Sequence, residues 1–195
     1  MDSEQQVAFK TEFARLVSAH GLARCFGLTR VRRRPGLRAD EVYLETEKAD
    51  RSLAIEVVPR AIYPGTINAA WYLQADEAAG WRLVDVQPCA HQALYDDYDP
   101  AASNPRTHPE FADAFVRLAR RHGAADDFGL ALVHRHFGMT DDEALLESAC
   151  DDGSIAVRIA PRRSIGEAEA LTWHVEGDAR CAWLHPVHFG ARFDA

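Results

Sequence analysis

The chain has 195 residues, 47% hydrophobic and 27% charged, with a formal net charge of −8; this suits a packed globular protein and excludes a disordered one. The acidic balance repels polyanions, so no nucleic-acid partner is expected, and the one localised basic run is Arg30 to Arg34. A polar N-terminus, short apolar stretches and four cysteines without CxxC spacing (Cys25, Cys89, Cys150, Cys181) lead to the expectation of a cytoplasmic, disulfide-free protein with no membrane partner.

In chain order, the first predicted element is a helix. Phe9, Phe13, Leu16 and His20 fall at i, i+4, i+7 and i+11, one face of an amphipathic helix, and Gly21 stops it. A strand follows from Phe26 (FGLTRVRRR), then a turn (GLRAD), a second strand (EVYLET) and a third ending in Pro-Arg (SLAIEVVPR). Two more strands are expected around Ala70 to Leu73 and Trp81 to Val86. Residues 96–109 (DDYDPAASNPRTHP) are dense in Pro, Asp, Asn and Ser and read as a linker.

After it the pattern starts again. Sliding the chain by 102 positions aligns Phe9–Trp81 with Phe111–Trp183 without a gap, with 25 identities in 73 positions, where residue usage alone gives roughly five. Phe111, Phe115, Leu118 and His122 repeat the helix, Gly123 its stop, and FGLALVHRH, EALLES and SIAVRIAPR the strands. The predicted fold is therefore α+β: a tandem duplication of a helix plus antiparallel meander sheet unit, the copies packed about a pseudo-twofold axis. The expected organisation is a first repeat at 1–95, a linker at 96–109 and a second repeat at 110–195. Such a chain can satisfy an ancestral dimer interface internally, so a monomer or weak homodimer is expected.

Residues identical in both copies are explained by the shared scaffold. These include His20 and His122 at the helix ends, the Pro-Arg pairs at Arg60 and Arg162, and Trp71, Trp81, Trp173 and Trp183. Differences direct attention to function. His134, His136, His174, His185 and His188 align with Arg32, Arg34, Tyr72, Leu83 and Val86. His134 and His136, spaced i, i+2, project from one face of a strand and make half of a site for a divalent transition metal, Zn or Fe, with His174 and His185 as further ligands. His188, Glu147 and Cys181 are other candidates for that shell. Glu143, one short turn beyond His136, joins the histidine pair as a catalytic candidate.

Arg30, Arg32 and Arg34 alternate on the matching strand of the first copy and are candidates to grip a small anionic molecule. The chain has no nucleotide-cofactor motif, no GxSxG and no HExxH. The resulting expectation is a small-molecule enzyme, hydrolase, lyase or oxidoreductase, with a histidine-centred site in the second repeat in which His134 and His136 serve either as metal ligands or as an acid–base pair. The alternative is a non-catalytic ligand-binding or protein-interaction module.

Overall fold

The structure, a computed structural model, describes residues 3–31, 37–62, 66–76, 80–91, 99, 102–133, 138–150, 154–177 and 180–190. Helix α1 (Glu4–Ala19) begins at a capping box in which the Ser3 hydroxyl accepts from Gln6 N–H and the Gln6 side chain accepts from Ser3 N–H. Helix α2 (Pro109–Arg121) starts on proline, whose missing N–H costs nothing in a first turn. Both end as the sequence predicts, at glycines with left-handed backbone, Gly21 at φ +70° and Gly123 at φ +61°.

Twelve strands account for most of the rest: β1 (Phe26–Arg30), β2 (Glu41–Glu47), β3 (Ser52–Pro59), β4 (Thr66–Asn68), β5 (Ala70–Asp76), β6 (Gly80–Asp85), β7 (Pro88–His91), β8 (Phe128–Leu132), β9 (Glu143–Ala149), β10 (Ile155–Pro161), β11 (Glu169–Glu176) and β12 (Trp183–Gly190). They form one sheet in the order β4-β7-β2-β3-β10-β9-β12-β11-β1-β8-β5-β6. The two ends of this order are covalent neighbours, because only Val86 and Gln87 separate β6 from β7. Val86 N–H donates to Ala70 O at 3.1 Å and Ala69 N–H to Gln87 O at 2.9 Å, so the sheet curls into a nearly closed barrel.

This overturns the expected α+β duplication of independent helix-plus-meander units. The protein is predominantly β, with two α-helices among the described residues. The expectation failed at strand pairing. A meander requires β1 beside β2, whereas β1 lies between β11 and β8, and β8 lies between β1 and β5. Each half sends its first strand into the other, against the usual tendency of consecutive strands to be neighbours.

Alternation along the strands gives the barrel two faces. Phe26, Leu28, Phe128, Leu130, Trp71 and Trp173 belong to one buried cluster with Phe9, Phe13, Phe111 and Phe115 of the helices. Tyr43, Leu53, Ile55, Leu145 and Val157, from β2, β3, β9 and β10, form a second cluster. Where β1 crosses β11 the backbones approach so closely that a Cβ on Gly27 would collide with the Trp173 carbonyl; Gly129 meets the Trp71 carbonyl in the same way. Trp71 and Trp173 are core residues as expected, but Trp183, at the start of β12, is 52% exposed. All four cysteines are free thiols, and among the described residues no helix is long and apolar enough to cross a membrane.

Candidate functional site

Inward-facing positions of both halves line one cavity of about 40 Å³, room for a few water molecules or the small end of a ligand. Its polar lining includes Thr29 of β1, Glu45 of β2, Glu147 of β9, Thr172 and His174 of β11 and His188 of β12. Two glutamates in such a wall are unusual, since carboxylates are rarely buried without hydrogen-bonding partners. Glu45 is 5% exposed and Glu147 7%.

The strand registers place their partners. In the second half, β12 runs parallel to β9 with His188 opposite Leu145, and His188 Nδ1 lies 3.2 Å from Glu147 Oε1. A carboxylate accepts, so Nδ1 donates, and this contact holds the plane of the ring. The His188 side chain is 17% exposed, buried enough to be held and open enough to meet a ligand. In the first half, β7 runs parallel to β2 with Cys89 opposite Tyr43, the repeat equivalent of Leu145. The Cys89 thiol donates to Glu45 Oε1 at 3.6 Å. The same carboxylate thus meets an imidazole in one half and a thiol in the other.

The remaining polar lining is held by the barrel wall. The Thr29 and Thr172 hydroxyls are 3.4 Å apart, and Thr29 donates to Leu171 O at 3.3 Å. His174 lies across β1, where a Cβ on Gly27 would come within 3.3 Å of its Cδ2; Tyr72 crosses Gly129 likewise. A glycine in each first strand therefore clears space for the large side chain that passes over it.

Of the residues singled out in the sequence, the structure brings His174 and His188 into this cavity together with Glu147. It places His185, Glu143 and Arg30 elsewhere. His185 meets the Arg162 guanidinium and stands 3.9 Å from Glu176. Arg162 also donates to Asp141 O and Pro186 O, so this matched arginine anchors a strand end. Glu143 accepts from Thr140 N–H at 2.9 Å and from Arg51. The backbone bond from Thr140, and then Arg51, hold its carboxyl below the usual range. Glu41 accepts from Arg38 N–H at 3.0 Å at the repeat-equivalent position, so the role of Glu143 in the turn is shared scaffold. Arg30 is on the helix-covered face, 2.8 Å from Glu169 and over the rings of Phe128 and Trp173.

His134, His136, Arg32 and Arg34 lie outside the described residues. Among the described residues no three of His, Cys, Asp or Glu are arranged to hold a metal ion. The expected metal-binding character is corrected accordingly: His174 and His185 are register neighbours, but His174 lines the cavity while His185 is engaged by Arg162.

The site therefore centres on the pairing of Glu147 with His188 and not on the HxH pair that the sequence singles out. Two signals for it were present. Glu45 and Glu147 are identical in both copies, each directly after three residues with largely apolar side chains (VYL, ALL), and each is two residues from a buried side chain, Tyr43 or Leu145. The gapless alignment also matched His188 with Val86, whereas the barrel register gives its place opposite β2 to Cys89, a displacement of three residues. No family model, no curated protein and no solved structure matches the chain.

Proposed function

We propose that the barrel interior is the working site and that the protein is a small-molecule enzyme using acid–base chemistry centred on His188. The observation that carries this reading is the contact between Glu147 Oε1 and His188 Nδ1, 3.2 Å long, in the wall of a cavity. An imidazole oriented by a buried carboxylate is a competent general base through Nε2, because the developing imidazolium is stabilised by the charge behind it. Glu147 acts through His188 as a positioning residue. Thr29 and Thr172 supply hydroxyls for a polar substrate group, and His174 supplies a second imidazole in the same cavity. The cavity volume favours a small polar substrate.

The test is an NMR survey of a mixture of small polar metabolites incubated with the wild-type protein and with His188→Gln. The expected result is conversion of at least one component by the wild type, slowed about 100-fold or more in the variant, the range general acid–base groups contribute. Conversion at equal rates in both proteins would overturn the assignment to His188. The limited cavity volume also favours a second reading, a non-catalytic ligand-binding module. That reading predicts ligand-induced chemical-shift changes with no component consumed.

A further inference from the structure

Among the described residues that line the barrel cavity, Glu45 and Glu147 are carboxylates and none is a lysine or an arginine. The other polar groups there include the Thr29 and Thr172 hydroxyls and the His174 and His188 imidazoles. A carboxylate only accepts hydrogen bonds, and a hydroxyl oxygen accepts as well as donates. The wall is thus rich in acceptors and negative in sign. Its complement is a ligand that is positive and donates.

Strand register sets the two carboxylates on either side of an apolar strip. Ile55 is opposite Glu45, Val157 is opposite Glu147, and Leu53 is opposite Val157; all three apolar residues line the cavity. Glu45 stands at one side of this strip, and Glu147 with His188 at the other. The Cys89 thiol that meets Glu45 Oε1 at 3.6 Å is a weak, neutral donor, so that contact leaves the Glu45 charge in place. No phenylalanine, tyrosine or tryptophan is among the described lining residues, and a quaternary ammonium is held by a cage of aromatic faces. A primary ammonium, a compact charge with three donors, suits carboxylate and hydroxyl oxygens instead.

We propose that the cavity takes the ammonium end of a small primary amine, with the nitrogen on Glu45 and the adjoining carbons on Leu53, Ile55 and Val157. This ligand class rests on the reading of the barrel interior as the working site, and it directs the carbon chain of the substrate towards Glu147 and His188. Its charge is opposite to the one expected from the arginines of the first strand. Arg30 is on the helix-covered face, over Phe128 and Trp173. Glu45 is buried, and opposite charges attract more strongly where water is scarce. A cavity of about 40 Å³ has room for an ammonium and a short alkyl stem. An anionic group in the same place would meet two carboxylates of its own sign.

The test is an NMR titration of the full-length protein at neutral pH and constant ionic strength, read at the methyl signals of Leu53, Ile55 and Val157. Methylammonium, ethylammonium and propylammonium chlorides are the probes; tetramethylammonium chloride, sodium acetate and inorganic phosphate are the controls. The expected result is a saturable shift of these methyl signals with at least one primary amine and none with the controls. In Glu45→Gln that binding should weaken about tenfold or more. Methyl signals that stay unmoved by every primary amine, or that move as far with any control, would overturn the inference on the wild-type protein alone. Equal amine affinity in a folded Glu45→Gln would do the same. The outcome is separable from that of His188→Gln. An anion that fills the cavity while His188→Gln still slows turnover overturns the amine and leaves the catalytic reading standing. Amine binding at the same methyl groups, with equal turnover in His188→Gln, upholds the amine and overturns the catalytic reading.

Discussion

The inward faces of the two halves differ at one decisive position. Glu147 meets an imidazole and Glu45 meets a thiol, although both glutamates occupy equivalent places and both are buried. Cys89 is fully buried, and its short side chain braces Glu45 from the side. His188 reaches the cavity wall itself. A repeated carboxylate is therefore buried twice and meets an imidazole once. What separates a structural polar contact from a candidate catalytic one here is the partner, and whether its far end reaches ligand space.

The comparison can be broken most directly at that partner. His188→Gln should reduce turnover of any substrate found by about 10²- to 10⁴-fold, whereas Cys89→Ser should change it less than about threefold. Equal losses in the two variants would mean that the halves are functionally alike. The next largest effect tests the symmetric part of the barrel. Gly27→Ala and Gly129→Ala each drive a Cβ into a carbonyl of the neighbouring strand, and each should cost about 3 kcal/mol in urea unfolding. A large cost at one glycine and none at the other would show that the two crossings are not equivalent.

Smaller effects come from contacts found on one side only. Arg51, at φ +61°, joins the halves by binding Glu143 and the Gly138 carbonyl, and its repeat equivalent is Gly153. Arg51→Ala should cost about 1 kcal/mol or less, because the pair is solvent-exposed; a loss several times greater would mean the bridge is a main tie between halves.

The smallest effect concerns Glu12, whose repeat equivalent is Ala114. Its carboxyl is held below the usual range, chiefly by the hydrogen bond from Arg121 and with help from His122. A depressed carboxyl pKa stabilises the fold above the unfolded-state pKa, and that stability is lost as pH falls through the folded-state value. With the Glu12 side chain 42% exposed, screening leaves about half a kcal/mol at most. Thermal melts of Glu12→Ala should lie slightly below wild type at pH 7 and coincide with it in strong acid. A difference that persists in strong acid would assign the effect to packing.

Much of the local structure was legible because it is set by near neighbours. The Phe9/Phe13 and Phe111/Phe115 spacing marks the helix faces, Gly21 and Gly123 mark their ends, and EVYLET and EALLES mark strands β2 and β9 with their bounds nearly correct. The exchange of β1 and β8 was not legible, because hydrophobic alternation says which residues face inward but not which strand lies alongside. The site was half legible. Histidine enrichment in the second copy pointed to His174 and His188 among others. Glu147 was legible only as a further candidate ligand, because its identity with Glu45 in the other copy points to scaffold. The displacement of β7 along β2 hid the correspondence of Cys89 with His188, since a register shift between parallel strands leaves no mark in the residue pattern.

The placement of β1 also bears on synthesis. Leu28 pairs with Leu130 and Trp173, so β1 is made well before the strands that flank it. At ~5–20 residues per second, the 145 residues between Leu28 and Trp173 take roughly 7–30 s to add. Through that interval β1 lacks its β11 partner, and an unpaired strand edge of this kind is a template for pairing with another chain.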